Sequence, residues 1–253
     1  MDIVLHLAAL IGIPYSYEAP ASYVSTNVIG TLNVLQSARR HSTQRVVVTS
    51  TSEVYGTARF VPITEDHPLI GQSPYAATKI AADQLALSFY FAYGVPVAIL
   101  RPFNVFGPRQ SARAIIPTVL VQALVGKREI RVGSIHTTRD FTFVTDTVDG
   151  FVKIAACPAA IGRVLNLGTN REVSIGALIE TIGETLGRKL EVVSDDQRKR
   201  PEKSEVERLL ADNGRAREVL DWSPRVTLEQ GLERTAEWFE RHLDAYKGDI
   251  YNV

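Results

Sequence analysis

The chain has 253 residues, enough for one large domain or two small ones around a sizeable core, and 45% of them are hydrophobic, which excludes disorder. Its 28 Lys and Arg residues balance 28 Asp and Glu residues, so there is no basic field for nucleic acid, and no apolar run approaches the roughly 20 residues that span a bilayer. The single cysteine, Cys157, excludes an internal disulfide and a multi-cysteine metal site, and the amino terminus lacks a basic signal segment, so we expect a cytoplasmic protein that binds no metal, nucleic acid or membrane.

The first hundred residues alternate between predicted strands and helices. Short apolar runs at 2–9, 45–50 and 96–101 are typical of strands buried on both faces. Between them, apolar spacing predicts a helix over 21–40 after a turn-rich stretch at 11–20, and Ser73-Pro74 opens a second helix that runs to about Tyr93. This order predicts an α/β fold with a Rossmann-like parallel sheet.

The pattern loosens after Arg101. The predicted elements there are, in chain order, a long loop, a helix at 115–125, strands at 130–132 and 138–143, a helix at 146–156, a strand at 163–167, a helix at 174–186, a strand at 190–193, a charged connector at 195–208 and a helix at 228–242. We expect a partial dinucleotide-binding domain over 1–105. Residues 106–253 should form a smaller mixed substrate-binding lobe, with interleaved segments that return to the Rossmann sheet.

The glycine-rich turn that binds a pyrophosphate in such sheets is not encoded. Gly12 and Gly30 stand alone, and no G-x-G-x-x-G follows a strand. The sheet is therefore expected to be N-terminally incomplete, through truncation or natural loss, with weak dinucleotide binding and little activity.

Two motifs carry candidate chemistry. Tyr75 and Lys79 have the Y-x-x-x-K spacing, which puts a phenol and an ammonium on one helix face, where the ammonium favours the phenolate. Ser50 to Gly56 gathers hydroxyls and the Glu53 carboxylate directly after a buried strand, at the edge where open α/β sheets bind ligands. Either motif alone is more often structural.

Taken together, the motifs resemble those of extended short-chain dehydrogenase/reductases of the NAD-dependent epimerase/dehydratase family, which act on nucleotide sugars. The matching segments, in order, are His6–Ala9, Asn27 with Gly30-Thr31, Ser50–Gly56, Tyr75–Lys79, Arg101–Pro108, Arg139-Asp140-Phe141 with Val144 and Asp146, and Leu220–Pro224. Within the family, Thr51-Ser52-Glu53 resembles the triplet of 4,6-dehydratases, and segments 13–17, 107–113 and 200–206 resemble dehydratases of the legionaminic-acid route.

The resemblance implies roles for individual residues and NAD as the cofactor. The catalytic residues would be Thr51, Ser52, Glu53, Tyr75 and Lys79. The cofactor would contact Leu7, Ala8, Ala9, Asn27, Thr49, Tyr75, Lys79 and Pro102. The nucleotide-diphosphate sugar would contact Asn104, Arg109, Arg139 and Arg200.

Three functions remain open at this point. The first is a 4,6-dehydratase acting on a UDP- or GDP-linked N-acetylglucosamine, in which Tyr75 accepts the 4-hydroxyl proton and Glu53 removes the C5 proton. The second is a 4-epimerase that uses the same tyrosine and lysine, and the third is an inactive fragment or binding module. Relatives pair two helices across a two-fold axis, so the helices at 24–40 and 74–93 are expected to form a homodimer through a four-helix bundle.

Overall fold

Strands and helices alternate through residues 2–247, the part of the chain that the structure, a computed structural model, describes. The strands are β1 (Ile3–His6), β2 (Arg45–Thr49), β3 (Val97–Pro102), β4 (Asn104–Phe106), β5 (Glu129–Val132), β6 (Thr138–Phe143), β7 (Val164–Leu167), β8 (Glu172–Ser174) and β9 (Glu191–Ser194). The helices are α1 (Ile13–Glu18), α2 (Pro20–Tyr23), α3 (Gly30–Arg40), α4 (Pro74–Tyr93), α5 (Ile115–Leu124), α6 (Val144–Ala156), α7 (Ile175–Thr185), α8 (Gly214–Leu220) and α9 (Leu228–Arg241). A π-helical segment, Val24–Ile29, joins α2 to α3.

The main sheet is parallel and confirms the predicted fold class. Its strand order is β1-β2-β3-β7, so the chain crosses over through helices between neighbouring strands. β7 comes from the second half of the chain and lies at the edge of this sheet beside β3. A three-stranded sheet, β4-β6-β8, and a two-stranded sheet, β5-β9, form separately from it. The division of the chain near residue 105 stays a prediction.

Alternate side chains of β2 pack on opposite faces of the main sheet. Val46 and Val48 lie in a core cluster with α3 and α4, whereas Val47 lies in another with α6 and α8. All three side chains are fully buried, which explains the uninterrupted apolar run in the sequence. A further core contains Phe106, Leu120 and Phe239 and lies among α5, α7 and α9.

Several short elements were not predicted. The stretch expected to be turn-rich contains α1, in which Pro14 occupies the first turn, where a missing N–H is tolerated. The loop expected after β3 contains β4, which pairs in parallel with β6. The predictions also omitted β8, whose register partner is β6, and α8, which packs on β7.

Helix α4 buries most of its apolar residues against the sheet. Phe89 is buried and Leu85, Leu87 and Tyr90 pack partly buried on the same core, whereas Phe91 is 77% exposed. The apolar surface left for a partner is therefore smaller than the sequence suggests. No helix within residues 2–247 is long and apolar enough to cross a membrane.

Candidate active site

The carboxyl end of β2 leads directly into a tight 3-10 turn over Ser52–Tyr55. The Thr51 hydroxyl accepts a hydrogen bond from the Glu53 backbone N–H at 3.2 Å, so Thr51 caps this turn as an N-cap residue. Gly56 ends it at a φ of 63°, and a Cβ there would lie 2.4 Å from Gln72 Oε1. The Thr51 cap and Gly56 thus fix the turn that holds Ser52 and Glu53, both buried, beside the end of β2.

Helix α4 begins beside this turn and brings Tyr75 and Lys79 to it. Ser73 accepts a hydrogen bond from the Ala76 backbone N–H at 3.1 Å, and Pro74 occupies the first turn. Tyr75 and Lys79 lie one helical turn apart and are 6% and 5% exposed. Lys79 Nζ donates to the Thr49 carbonyl oxygen at 2.5 Å, which ties the helix to the end of β2.

Tyr75 lies in a buried environment with two carboxylates nearby. Burial raises the pKa of Tyr75, and the charges of Glu53 and Asp83 raise it further, while the hydrogen bond with Thr51 lowers it. Lys79 donates to the Thr49 backbone carbonyl, and the expectation that its ammonium favours the Tyr75 phenolate stays a prediction. Tyr75 rests as a neutral phenol with a buried hydroxyl.

The residues that follow β1 lie at the same carboxyl end of the main sheet as the turn after β2. Leu7 and Ala8 are exposed and Ala9 is half-buried. Asn27, which is buried in the π-helical segment, donates to the Leu10 carbonyl at 3.0 Å and to Thr78 Oγ1 at 3.1 Å. Both amide N–H groups are therefore used, so Asn27 shapes the 7–10 segment rather than offering a donor to a ligand.

Two further predicted cofactor residues end the neighbouring strands. Thr49 is the last residue of β2, and its hydroxyl is buried without a hydrogen-bond partner among residues 2–247. Pro102 is the last residue of β3 and is half-buried. Both strands end at the edge to which α4 brings Lys79.

A cleft of about 250 Å³ lies among elements that follow β3. Its lining comes from β4, the loop before α5, β6 and the connector at 195–208, together with Pro14 of α1. Of the predicted substrate residues, Asn104, Arg139 and Arg200 line it. Arg109 does not: its backbone φ is 68° and it is exposed. The sequence-based prediction missed Arg113, Arg198 and Glu205, which also line the cleft. Pro14 and Arg198 also border a second cleft of about 220 Å³, beside Tyr17.

Four charged side chains connect the cleft to the turn after β2. Arg200 Nη1 lies 3.6 Å from Glu53 Oε1 and 3.8 Å from Glu205 Oε1, and Arg139 Nη2 lies 3.4 Å from Glu205 Oε1. Burial lowers the pKa of Arg139, while the Glu53 and Glu205 carboxylates raise it. Arg200 Nη1 and Asn104 Oδ1 are buried without hydrogen-bond partners among the described residues, so both are available to a polar ligand.

Asp140 holds the segment between β7 and β8 and the segment before α8. It accepts hydrogen bonds from the backbone N–H groups of Thr169, Asn170 and Ala211 at 2.7, 3.0 and 3.2 Å. Arg139 donates instead to the Thr138 carbonyl and to Glu205.

Known proteins resemble the chain over most of its length. Residues 1–235 match the family model described as GDP-mannose 4,6 dehydratase. The chain is 35% identical over 242 residues to a UDP-glucose 4-epimerase of Mycolicibacterium smegmatis, covering 94% of this chain and 76% of that protein. It is 35% identical over 246 residues to a dTDP-glucose 4,6-dehydratase of Streptomyces griseus, covering 95% and 72%.

A solved structure shares both the fold and the sequence similarity. The dTDP-glucose 4,6-dehydratase of Bacillus anthracis, in complex with NAD, superposes with a TM-score of 0.84 at 30% identity, covering 96% of this chain and 74% of that one. The family model spans nearly the whole described chain, and the curated relatives agree with it. The chain therefore belongs to the GDP-mannose 4,6-dehydratase family, within the NAD-dependent epimerase/dehydratases of the short-chain dehydrogenase/reductase type.

Proposed function

We propose that this chain is a lyase, an NAD-dependent nucleotide-sugar 4,6-dehydratase. The observation that carries the proposal is the position of Glu53, a buried carboxylate on the turn that also presents Thr51 to Tyr75. Dehydration needs a base for the C5 proton in addition to the tyrosine that serves C4, whereas epimerisation at C4 needs no such base.

The residues present fit a dinucleotide beside Tyr75. The Lys79 ammonium has three N–H donors and the Thr49 carbonyl accepts from one of them, so the others can bind the hydroxyls of a ribose. The buried Thr49 hydroxyl lacks a partner among residues 2–247 and lies at the same strand end. Leu7, Ala8 and Ala9 would lie against the dinucleotide, and the two alanines are small enough to permit close contact.

The proposed chemistry follows from these positions. NAD, when bound, supplies a hydride acceptor at C4 and a donor at C6, and its positive ring favours the Tyr75 phenolate. Tyr75 takes the proton of the sugar 4-hydroxyl, and Thr51 donates a hydrogen bond to the same oxygen. The 4-ketone makes the C5 hydrogen acidic, so Glu53 removes that proton, and the C6 hydroxyl takes up a proton and leaves as water with the assistance of Ser52. C5 regains a proton when the hydride is returned to C6.

The cleft would hold the nucleotide diphosphate. Arg139 and Arg200 are the proposed diphosphate ligands, because guanidinium groups match phosphate oxygens and Arg200 Nη1 has no hydrogen-bond partner among residues 2–247, although Glu53 and Glu205 lie near it. Asn104 would contact the sugar. The cleft's net positive charge comes from Arg113, Arg139, Arg198 and Arg200 against Glu205, although Arg198 also pairs with Asp195 at 3.1 Å.

The test is the Glu53→Gln variant, mixed with NAD and a panel of nucleotide sugars. Oxidation at C4 does not require Glu53, so the variant should accumulate bound reduced nicotinamide, seen by absorbance, without releasing a 4-keto-6-deoxy sugar. Glu202→Gln, at an exposed carboxylate in the neighbouring connector, is the matched control and should turn over normally. Normal product from Glu53→Gln would rule out the assigned role.

A 4-epimerase is the second candidate, and one contact favours it. Glu53 is paired with Arg200 at 3.6 Å, so it is not a free base in this state. The 35% identical UDP-glucose 4-epimerase also covers the chain as fully as the dehydratase does. An epimer as the sole product, with full activity in Glu53→Gln, would establish this candidate.

We also propose a homodimer through α3 and α4. Phe91 and Tyr93 are 77% and 51% exposed at the end of α4, and Ile29 is 47% exposed before α3. Ala77, Gln84 and Ser88 are exposed on α4 at spacings of seven and four residues, and the short side chains of Ala77 and Ser88 permit close helix packing. Sedimentation at micromolar concentration tests this proposal, and a monomer would contradict it.

A further inference from the structure

One guanidinium group connects the cleft to the carboxylate proposed as the base. Arg200 lines the cleft, whereas Glu53 lies on the turn after β2. Arg200 Nη1 lies 3.6 Å from Glu53 Oε1 and 3.8 Å from Glu205 Oε1. The side chains of Glu53 and Glu205 are 11% and 14% exposed, so these ion pairs form largely out of water. In the unliganded chain, Glu53 is therefore occupied as the partner of Arg200.

Arg200 is held less firmly than the other arginine of this cluster. Arg139 Nη1 donates to the Thr138 carbonyl at 2.8 Å, and Arg139 Nη2 donates to Glu205 at 3.4 Å. Arg200 Nη1 makes no hydrogen bond among residues 2–247, and both of its carboxylates lie beyond hydrogen-bond distance. The Arg200 side chain is also the more exposed of the two, at 23% against 7%. Arg200 can thus turn toward a ligand without breaking a hydrogen bond at Nη1.

The charges of this cluster balance when the cleft holds no anion. The two arginines and two glutamates, Arg139, Arg200, Glu53 and Glu205, sum to zero. A diphosphate in the cleft adds negative charge, and guanidinium groups bind phosphate oxygens through paired N–H donors. Arg139 can remain beside Glu205, so Arg200 is the cation that a diphosphate draws away. Glu53 then loses its partner and keeps an uncompensated negative charge.

We propose that Arg200 exchanges the Glu53 carboxylate for the diphosphate of the substrate, so that Glu53 becomes a free base only when the nucleotide sugar is bound. Arg200 is then a positioning residue for the base in addition to a diphosphate ligand. The use of the freed carboxylate at C5 rests on the proposed function, whereas the exchange is a binding event that a nucleoside diphosphate without the sugar also triggers.

The test is a double-mutant cycle in which calorimetry measures the binding of a nucleoside diphosphate. UDP, GDP and dTDP are titrated in turn into the full chain, and the one that binds most tightly is used for Glu53→Gln, Arg200→Gln and the double variant. Glutamine is nearly isosteric with glutamate, and the double variant removes both members of the ion pair. Glu202→Gln, at an exposed carboxylate in the same connector, is the matched control.

The exchange predicts tighter binding when the competing carboxylate is removed. Glu53→Gln should bind the nucleoside diphosphate about three- to tenfold more tightly than the wild type, because Arg200 no longer leaves a partner. Arg200→Gln should bind it about tenfold or more weakly. Adding Glu53→Gln to Arg200→Gln should change the affinity less than about twofold, and Glu202→Gln should stay within about twofold of the wild type.

The sign and the coupling of these changes decide the outcome. Unchanged or weaker binding in Glu53→Gln would overturn the proposal, and weaker binding is what a merely structural role of Glu53 predicts. An equal gain from Glu53→Gln with and without Arg200 would also overturn it, because simple repulsion between the carboxylate and the diphosphate needs no arginine. Undiminished affinity in Arg200→Gln, or no binding of UDP, GDP or dTDP, would exclude the diphosphate as the exchanging group.

Product analysis separates this inference from the proposed function. If the wild type forms no 4-keto-6-deoxy sugar, the dehydratase assignment fails, yet the binding measurements still decide whether Arg200 exchanges partners. If the wild type forms that product but Glu53→Gln leaves the affinity for the nucleoside diphosphate unchanged, the exchange alone is wrong.

Discussion

Arg200 offers a quantitative test of how the cleft binds its ligand. Its Nη1 atom is buried without a hydrogen-bond partner among residues 2–247, between the carboxylates of Glu53 and Glu205. A hydrogen bond between a charged donor and a phosphate contributes about 1.5–3 kcal/mol. Arg200→Gln should therefore raise the KM for the nucleotide sugar roughly 10- to 150-fold, since about 1.4 kcal/mol corresponds to tenfold.

The lower end of that range is the better expectation for Arg200→Gln. The arginine side chain is 23% exposed and already interacts with two carboxylates, so part of the gain on binding is offset by the contacts it gives up. The diphosphate is remote from the reacting carbons, so kcat should change little, which is the signature of uniform binding.

The assay is steady-state kinetics of Arg200→Gln and a matched variant, Arg109→Gln. Arg109 carries the same charge but is exposed and lies outside the cleft lining, so its KM should stay within about twofold of the wild type. A KM within twofold for Arg200→Gln, or a large increase for Arg109→Gln, would refute the placement of the diphosphate.

Other changes probe the rest of the structure. Tyr75→Phe should lower kcat by about 10²- to 10⁴-fold with little change in KM, and a variant retaining a tenth of kcat would contradict the role of Tyr75 as the base at O4. Trp222→Ala should cost about 3–5 kcal/mol in denaturant unfolding, because this indole is fully buried and donates to the Asp146 carbonyl at 2.8 Å; a loss under about 1 kcal/mol would contradict that packing. His6 has a lowered pKa, so its stabilising neutral form is present above about pH 6.5 and is lost as the pH falls; His6→Gln should flatten the decline in Tm between pH 7 and 5, and an unchanged slope would contradict this. Phe91→Glu should shift the sedimentation profile to monomer if α4 pairs between subunits, and an unchanged dimer would exclude that interface.

Local signals explain why some elements could be predicted closely. Helix α4 begins and ends as expected, because Ser73 and Pro74 form its amino-terminal cap and Gly94 ends it in the left-handed region at a φ of 67°. The strands β2 and β3 are also placed within a residue or so, since each is buried on both faces. Tyr75 and Lys79 lie in the first turns of α4, and Thr51–Glu53 directly follows β2. Lys79 joins the two segments, because it donates to the Thr49 carbonyl at the end of β2.

Contacts between distant segments explain what the sequence could not predict. The connector that carries Arg200 and Glu205 folds back onto α1, where the Tyr17 and Ser204 hydroxyls lie 2.7 Å apart. The sequence predicts only a charged connector there, with Arg200 as a substrate contact through the family resemblance, and the folded chain adds Arg198 and Glu205 to the cleft lining. The Asp83–Arg101 pair was likewise hidden, since an aspartate within a helix is usually solvated.

The proton-transfer step assigned to Glu53 is tested most directly by running the reaction in D₂O and analysing the product by mass spectrometry and NMR. A 4,6-dehydratase exchanges the C5 hydrogen through its base, so the wild type should yield a 4-keto-6-deoxy sugar that has lost one water and carries one deuterium at C5. Glu53→Gln should form none of it. An isomeric product with no carbon-bound deuterium, formed equally well by Glu53→Gln, would contradict the proposed dehydratase and identify a 4-epimerase.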